Sequence, residues 1–580
     1  MRPKILYMFK FFFLFLSFLS INLFAVTIDL PKESYRVDRE KRMIVCNTDL
    51  SKIVADDQAI KFKINGDVYN LLDNIKELKI GIRYTLAQHQ GSQRFSIYFT
   101  ELPLLFIDSN AEISDSPKVL SQISLVENNG IVTVSSAGIE YRGATSQSYP
   151  KKSFEIEFWK DQTGKETQDL ALLGMREDKD WNLQALYNEP LKIASITAWE
   201  IWETIGKPYY ATEEPKAKLG VSSEFVELFL NDSYQGIYVV AEKIDRKQLK
   251  LKKNTETEIR GELYKGSSWG ATTYYELPAL DNASEEWGGF EYKYPKDLRD
   301  WSKLYNLHDF VLNSDSDLFY SEYKNKYDND NLVDYFIFLN LLRITDNTGK
   351  NLYTARYDKN GKYFFVPWDL DGVLGRIWDS TIENKTDDIL SNGLYDRLQN
   401  DDRPDGFRFD LSKRWTSLRS DFITTDNIMQ LLLNNYSYLK VNSAYERDQL
   451  ANSGSTISSE YEEFAFIREW LTKRIEFLDK AFGFETTQHE DAAIDQNTVK
   501  FQFYPNPAKS SIYFINKKIK TENTFLDIDI YTLSGRKVRS VSQSPLGQSV
   551  FIGNLPNGNY LMNIKGDAGV KQSFKLIIDK

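Results

Sequence analysis

Alternating apolar and polar residues recur along much of the chain and predict short β-strands. In the first hundred residues the alternation is clearest at 60–64, 78–84 and 95–99, with charged connections between these runs. Further runs follow at 131–134 and 138–141. Because successive side chains of a strand point to opposite faces, this spacing indicates half-buried sheets. We therefore predict a strand-rich region over 26–100 and more strands soon after it.

The centre of the chain adds helices to this pattern. Residues 191–205 and 332–342 carry apolar side chains at helical spacing. Residues 224–241 contain two apolar runs around Asn231-Asp232-Ser233, which is typical of a β-hairpin. The expected fold class is therefore α+β.

The N-terminus has the order of an export signal. Arg2, Lys4 and Lys10 precede an apolar run from Phe11 to Phe24, and Ala25 offers a small residue for cleavage. We predict a signal peptide at 1–25. A membrane anchor is the alternative, because no charged residue occurs from 11 to 28. No later segment is long and apolar enough to cross a bilayer, so we expect no stable membrane span in the mature chain.

The C-terminus is predicted to be a separate module. Residues 485–500 are polar and lack a clear period, which is typical of a linker. After them, short alternating runs are separated by turn-forming residues at 504–507, 534–536 and 556–559. Many short strands with such turns predict a small antiparallel β-sandwich over 501–580.

Composition narrows the chemistry that the chain can perform. It has 580 residues, with 72 Lys+Arg against 83 Asp+Glu and a net charge of −11. This acidic balance argues against a general nucleic-acid-binding protein, and we expect no nucleic-acid partner. Three histidines and one cysteine exclude an intramolecular disulfide and cysteine-rich zinc sites. Any reaction is therefore expected to use Asp, Glu, Lys, Asn, Ser or Tyr.

The clearest chemical pattern follows the helix at 332–342. Asp346 is followed five residues later by Asn351, and Asp369 ends a predicted hairpin with Asp371 close behind it. Phosphoryl transfer uses such a set, because one carboxylate accepts the hydroxyl proton while an amide and a second carboxylate hold Mg²⁺ on the phosphates. On spacing alone, two acidic turns that cap a hairpin remain the alternative.

A second pattern lies at 142–152. Residues 142–146 are rich in small and hydroxyl-bearing side chains, and Lys151-Lys152 open the next alternating run. Small residues let backbone N–H groups approach an anion, and a lysine on the following strand can reach phosphate oxygens. A solvated hairpin is the alternative, since no complete phosphate-loop motif is present.

Five segments, taken in order, resemble the spore-coat CotH kinase-like family. They are YRGATSQSYPKKSFEIEF, LLGMREDKDWNLQALYN, VELFLNDSYQGIYVVAEKI, TDNTGKNLY and FVPWDLDGVLG. The similarity covers about 101–484. It implies an atypical, two-lobed protein-kinase-like core. It also implies transfer of the ATP γ-phosphate to Ser/Thr hydroxyls of exported or surface proteins, with Mg²⁺ or Mn²⁺ as the cation.

The same resemblance implies roles for the acidic residues. Asp346 is similar to the family's catalytic base. Asn351 and Asp369 are similar to its metal ligands, and Asp371 is a further candidate ligand.

For the phosphates and the base of ATP, the resemblance points to other positions. Lys151 or Lys152 matches the phosphate-binding lysine, and the loop that starts at Arg142 should lie near the phosphates. Glu200 is the candidate carboxylate partner of that lysine. The segment from Glu242 to Arg246 should form the hinge beside the adenine.

At the other end of the chain, YPNPA, IYTLSGRKV, LPNGNYLMNIK and KLIIDK resemble the C-terminal sorting domain of the Bacteroidetes type IX secretion system. This resemblance implies passage across the outer membrane, with the secretion machinery as a partner and removal of the domain afterwards. The mature protein would then be secreted or held at the cell surface.

A catalytically inactive CotH-fold protein with a surface binding or structural role is the alternative function. The family tends to carry Arg-Asn at the start of the helix near 194, where this chain has Ala194 and Ser195. Two further motifs are set aside. Residues 266–270 fit G-x-S-x-G, but a β-branched and aromatic run follows where a hydrolase needs a helix. Residues 313–324 lack the glycine and the glutamate of a calcium loop.

Overall fold

The structure is a computed structural model. It describes residues 26–53, 60–75, 77–89, 91–454, 459–484, 501–504, 508, 511–516, 525–532, 536–546, 549–566 and 571–578. The predicted signal peptide at 1–25 and the predicted linker at 485–500 lie outside these residues. Within the described part, no helix combines the length and the apolar character that crossing a membrane requires.

The first described region is a mixed seven-stranded sheet in the order β1-β4-β5-β6-β7-β3-β2. Its strands are β1 Val26–Asp29, β2 Tyr35–Asp38, β3 Met43–Cys46, β4 Ile60–Ile64, β5 Asp67–Leu71, β6 Arg83–Gln88 and β7 Arg94–Phe99. The strand predicted at 78–84 was placed too early, because the chain turns at Gly81 with a positive φ of 72° before β6 begins. A Cβ at Gly81 would overlap with the carbonyl of Val441, so this turn also packs against the helical region.

The next region closes into a seven-stranded barrel in the order β10-β11-β14-β16-β15-β8-β9. Its strands are β8 Leu104–Ser109, β9 Val119–Val126, β10 Val132–Tyr141, β11 Phe154–Trp159, β14 Asp180–Gln184, β15 Ser223–Leu230 and β16 Ser233–Ala241, with a short ribbon of β12 Leu170–Ala171 and β13 Glu177–Asp178 inserted. The hairpin predicted at 224–241 is confirmed as β15 and β16. The two runs predicted at 131–134 and 138–141 form one continuous strand, β10.

The third region combines helices with a second sheet in the order β18-β19-β17-β20-β21. The strands are β17 Glu262–Gly266, β18 Glu286–Trp287, β19 Phe290–Tyr294, β20 Leu352–Arg356 and β21 Tyr363–Pro367. The helices are α1 Ala194–Ile205, α2 Ser302–Asn313, α3 Ser316–Lys326, α4 Asn329–Leu342, α5 Gly393–Leu398, α6 Phe407–Asp421, α7 Thr425–Val441, α8 Ala444–Ala451 and α9 Glu460–Phe482.

Helix α4 lies at the centre of this third region. All of its residues from Asn331 to Leu342 are buried, so it is enclosed on every face. A helix buried on every face belongs inside a core, and its buried polar residues Asn331, Asp334 and Asn340 have hydrogen-bond partners there. It packs against α6, α9 and β21. Because the chain leaves this helix directly into Thr345–Thr348, the core fixes where the predicted acidic motif begins.

The C-terminal residues form two antiparallel sheets, ordered β22-β23-β26 and β25-β24-β27-β28. The strands are β22 Phe501–Tyr504, β23 Ser511–Asn516, β24 Phe525–Thr532, β25 Lys537–Pro545, β26 Ser549–Phe551, β27 Gly558–Gly566 and β28 Lys571–Ile578. Apolar side chains of both sheets belong to one buried cluster. The chain is thus an α+β protein, as its sequence pattern predicts.

One buried histidine gives the fold a measurable pH dependence. His308 of α2 is fully buried and stacks on the ring of Tyr274, with ring centroids 4.2 Å apart. Among the described residues, neither of its ring nitrogens has a hydrogen-bond partner. Burial lowers the pKa of His308 to about 3, because the charged imidazolium is excluded from the apolar core.

We expect His308→Phe to remove a loss of stability at low pH. The pKa of His308 is lower in the folded state, so the unfolded chain takes up a proton first as the pH falls below about 6.5. At pH 5 this costs the wild type about 2 kcal/mol relative to pH 7. Urea unfolding of both proteins at pH 7 and pH 5 measures the difference. An identical change in unfolding free energy in the two proteins would contradict the assignment.

Candidate functional site

A cleft of about 1210 Å³ lies between the barrel and the helical region. Its walls include the loop at 142–146, the connection at 243–247 and the ends of strands β17 and β21. Most of the residues singled out from the sequence meet here. The cleft is lined by Arg142, Lys151, Asp346, Asn351, Asp369 and Asp371.

Four carboxylates crowd one end of the cleft. Asp346 lies on the turn Thr345–Thr348, Asp369 and Asp371 follow β21, and Glu189 precedes α1. The pKa of Asp371 is raised well above its usual range by burial and then by the charges of Asp369, Glu189 and Asp346. Asp371 lines the cleft, and we attribute the shift to poor solvation of its carboxylate within this concave site. This concentration of negative charge favours binding of a cation.

Asp346 itself has a raised pKa. Burial is the main cause, and the charge of Asp369 adds to it while Lys350 acts in the opposite direction. A carboxylate with a raised pKa is a stronger proton acceptor than an ordinary aspartate. Lys350 also lines the cleft, although no sequence motif marks it as a site residue.

The backbone holds two of these residues in unusual conformations. Asn351 and Asp369 have positive φ values of 61° and 58°. Asn and Asp are the side chains that best tolerate this left-handed region. The N–H of Asn351 donates to the carbonyl of Gly266 at 3.0 Å, which ties the acidic motif to the end of β17.

Asn347 joins the two halves of the acidic motif. It is fully buried, and its Nδ2 donates to the carbonyl of Trp368 at 3.0 Å while its Oδ1 accepts from the Trp368 N–H at 3.3 Å. The Tyr335 hydroxyl donates to the Asn347 carbonyl at 2.8 Å. These bonds fix the neighbours Asp346 and Asp369 relative to each other. The sequence offered no signal for this role beyond an asparagine beside the motif.

The structure separates the two candidate lysines. Lys151 is buried at the cleft, and its Nζ donates to the Ile237 carbonyl at 2.5 Å and to Asp448 Oδ1 at 2.9 Å. Burial lowers the pKa of Lys151 to about 8, although the charge of Asp448 opposes this effect. Lys152 donates instead to the carbonyls of Gln147 and Tyr149, and it is absent from the cleft lining.

The loop before these lysines places a cation beside the acidic motif. The Arg142 guanidinium lies over the Trp368 ring, 5.6 Å from its centroid. The Arg142 N–H donates to the Ser153 carbonyl at 3.0 Å, so the loop closes on itself. Gly143 has a φ of 93°, and a Cβ there would overlap with Ser146 Oγ. Glycine is thus required for this compact turn.

Two predicted residues lie elsewhere. Glu200 does not pair with either lysine, because it faces α7 and accepts from Asn435 Nδ2 at 3.1 Å. Burial raises the pKa of Glu200 to about 8. The Glu242 carboxylate is buried and accepts the N–H groups of Arg176 and Ser222. The residues that follow it, 243–247, do line the cleft.

Glu189 is a further cleft residue, and no sequence motif marks it. Its Oε2 accepts the N–H groups of Ala194 at 2.8 Å and Ser195 at 3.3 Å, and its Oε1 accepts from the Ser195 hydroxyl. It therefore caps the start of α1, where the N–H groups lack partners within the helix. Burial raises the pKa of Glu189.

The oxygen atoms at the acidic end of the cleft fit a divalent cation that is coordinated jointly by the protein and by substrate phosphates. Among the described residues, no group of three His, Cys, Asp or Glu side chains is arranged to enclose a metal. Mg²⁺, however, is usually held by one or two carboxylates together with substrate phosphates and water. Asp369, Asp371 and the Asn351 amide supply oxygen ligands of this kind at the acidic end of the cleft.

Comparison with known proteins gives two matches. A family model described as CotH kinase protein matches residues 139–478, more than half of the chain. A model described as secretion system C-terminal sorting domain matches residues 502–579. No curated protein matches the chain.

We expect Asn347→Ala to loosen the acidic motif. The substitution leaves the buried N–H and carbonyl of Trp368 without their side-chain partner, which costs about 1–3 kcal/mol of unfolding free energy. Asn400→Ala is the matched control, since Asn400 is exposed and its Nδ2 donates to the Asp396 carbonyl of its own segment. Urea unfolding measures both, and equal stability losses would rule out a special role for Asn347.

Proposed function

Because this chain belongs to the CotH kinase protein family, we propose that it is a protein kinase that transfers the ATP γ-phosphate to serine or threonine hydroxyls. Its C-terminal sorting domain directs it through type IX secretion to the cell surface or outside the cell. We propose that its acceptors are exported or surface proteins. One observation carries the kinase proposal: Asp346, Asn351 and Asp369 line the same cleft as Arg142 and Lys151.

In this proposal Asp346 accepts the proton of the acceptor hydroxyl. Its raised pKa, caused mainly by burial and then by Asp369, supports that role. Asn347 and Trp368 hold it beside Asp369. A base needs such fixed placement, because a small displacement from the reacting hydroxyl slows proton transfer strongly.

Asn351, Asp369 and Asp371 would hold Mg²⁺ or Mn²⁺. The bound cation supplies charge neutralisation for the phosphates during transfer. The raised pKa of Asp371 supports the assignment, because a cation offsets the repulsion from Asp369, Glu189 and Asp346. Asp371 would then be ionised in the loaded protein.

At the other side of the cleft, Arg142 and Lys151 would bind the phosphate chain. Both residues line the cleft, and the Arg142 guanidinium lies over Trp368 next to the acidic motif. The segment 243–247 would lie beside the adenine, since it connects the barrel to the helical region and lines the cleft. The barrel and the helical region would be the two lobes of a kinase-like core.

A binding function without transfer is the second candidate. One observation favours it: the Lys151 ammonium already has two protein acceptors, Ile237 and Asp448, and its side chain has no exposed surface. A nucleotide would have to approach a lysine whose ammonium already donates hydrogen bonds to the protein. The intact set of Asp346, Asn351 and Asp369 favours the kinase.

We expect Asp346→Asn to reduce phosphoryl transfer at least 100-fold, since general-base catalysis contributes about 10²–10⁴-fold. Asp369→Asn should also reduce transfer strongly, because the cation that neutralises the phosphates would lose a charged ligand. The assay uses the purified protein, labelled ATP, Mg²⁺ or Mn²⁺ and a generic protein acceptor. Asp317→Asn is the matched control, because Asp317 is exposed on α3 and lies outside the cleft. Transfer by Asp369→Asn at the wild-type rate, or no transfer by the wild type, would refute the kinase assignment.

A further inference from the structure

The cleft lysine is held by a carboxylate that comes from a distant part of the chain. We infer that Asp448 of α8 is the positioning residue of Lys151, holding its ammonium at the cleft as the partner of a bound triphosphate. This inference rests on the proposed function, because it assigns Lys151 to the phosphates. It replaces Glu200, which the sequence suggested for this role and which bonds to Asn435 instead.

The contact between the two residues is close and buried. Lys151 Nζ lies 2.9 Å from Asp448 Oδ1, and their side chains are 0% and 1% exposed. The same oxygen accepts the Ile237 N–H at 2.9 Å and Asn452 Nδ2 at 3.2 Å. A buried carboxylate is stable only when it is paired and hydrogen-bonded, and Asp448 meets both conditions.

The barrel is shaped to admit this carboxylate. Gly236 of β16 has a φ of 99°, and a Cβ at this position would overlap with Asp448 Oδ1. Only glycine therefore allows Asp448 to reach the backbone of β16. The neighbouring Ile237 supplies both the N–H that Asp448 accepts and the carbonyl that Lys151 contacts.

A second lysine makes the negative charge of Asp448 necessary. Lys192 Nζ lies 3.8 Å from Asp448 Oδ2, so one carboxylate faces two ammonium groups. Burial lowers the pKa of Lys151, Asp448 raises it, and Lys192 lowers it further. Without Asp448, the pKa of Lys151 would fall further, so Lys151 would be a weaker cation for phosphate at a given pH.

Helix α8 is anchored to the barrel beside Asp448. The adjacent Arg447 forms a fully buried bidentate pair with Glu227 of β15, with both N–O distances at 2.7 Å. Arg447 also donates to the Asn442 carbonyl at 2.7 Å, and the Tyr234 hydroxyl donates to Glu227 at 2.6 Å. Bidentate pairs fix orientation as well as distance.

The two neighbouring ion pairs differ in one respect. The Arg447–Glu227 pair lies away from the cleft, whereas Lys151 lines it. We therefore assign the first pair to stability and the second to the placement of charge at the site.

The test measures ATP affinity by calorimetry with Mg²⁺ from pH 6.5 to pH 9, in the full chain. The charged or titratable groups that face the pair are Lys192, Glu189 beside Lys192, and the phenols of Tyr238, Tyr234 and Tyr445. The pKa values of the three phenols lie well above 10, so the phenols stay neutral in this range. In the wild type we expect the affinity to fall as the pH rises through about 8, where Lys151 loses its proton.

Asp448→Asn should move this fall to lower pH and weaken ATP binding at pH 7.5 at least tenfold. Asp448→Glu keeps the charge and should retain the wild-type pH profile.

Lys192→Met removes the competing ammonium and should move the fall in ATP affinity to higher pH, which tests the inference even where Asp448→Asn does not fold. Asp334→Asn is the matched control, because Asp334 is buried and pairs with Arg414 away from the cleft.

The outcomes distinguish failure of the Asp448 positioning role from failure of the proposed kinase function. If the wild type binds ATP and neither Asp448→Asn nor Lys192→Met shifts the pH profile, the positioning role is refuted while the proposed function stands. If the wild type binds no ATP at any pH, the proposed function fails and the inference fails with it. A lower melting temperature with an unchanged pH profile would mean that Asp448 only stabilises the fold.

Discussion

Mutual repulsion among carboxylates is the constraint on which the arrangement of the cleft depends. Asp371 shows it most clearly, because burial together with Asp369, Glu189 and Asp346 raises its pKa well above the usual range. A folded chain keeps such groups together only where other contacts outweigh their repulsion. Here Asn347 ties the two motifs through the backbone of Trp368, and Glu189 is bonded to the start of α1.

Like charges also meet on the positive side of the cleft, where other contacts again keep them together. Lys151 and Lys192 share the single carboxylate of Asp448, and the buried Arg447–Glu227 pair fixes the helix that carries it. The N-terminal sheet region contacts the same corner, because the hydroxyl of Ser443 donates to the Gly81 carbonyl at 2.5 Å. This bond joins the N-terminal seven-stranded sheet to the segment just before α8, the helix that carries Asp448.

The sequence predicts local features of the site well and distant pairings poorly. Asp346, Asn351 and Asp369 could be grouped because a single hairpin, β20 and β21, separates the two ends of their motif. The partner of Lys151 could not be found in this way, since Asp448 is 297 residues away and no periodicity links them. Glu200 was the wrong partner because α1 turns that face toward α7. The strand at 78–84 was misplaced because the turn at Gly81 depends on contact with Val441.

We propose that one cleft binds ATP and a divalent cation for transfer to a hydroxyl. A crystal structure of the protein with a non-hydrolysable ATP analogue and Mn²⁺ tests it most directly, since the anomalous signal locates the metal. We expect Mn²⁺ on Asp369 and Asn351, with the terminal phosphate facing Asp346 and the phosphate chain reaching Lys151. A nucleotide bound outside the cleft, or Mn²⁺ bound away from Asp369, would contradict it.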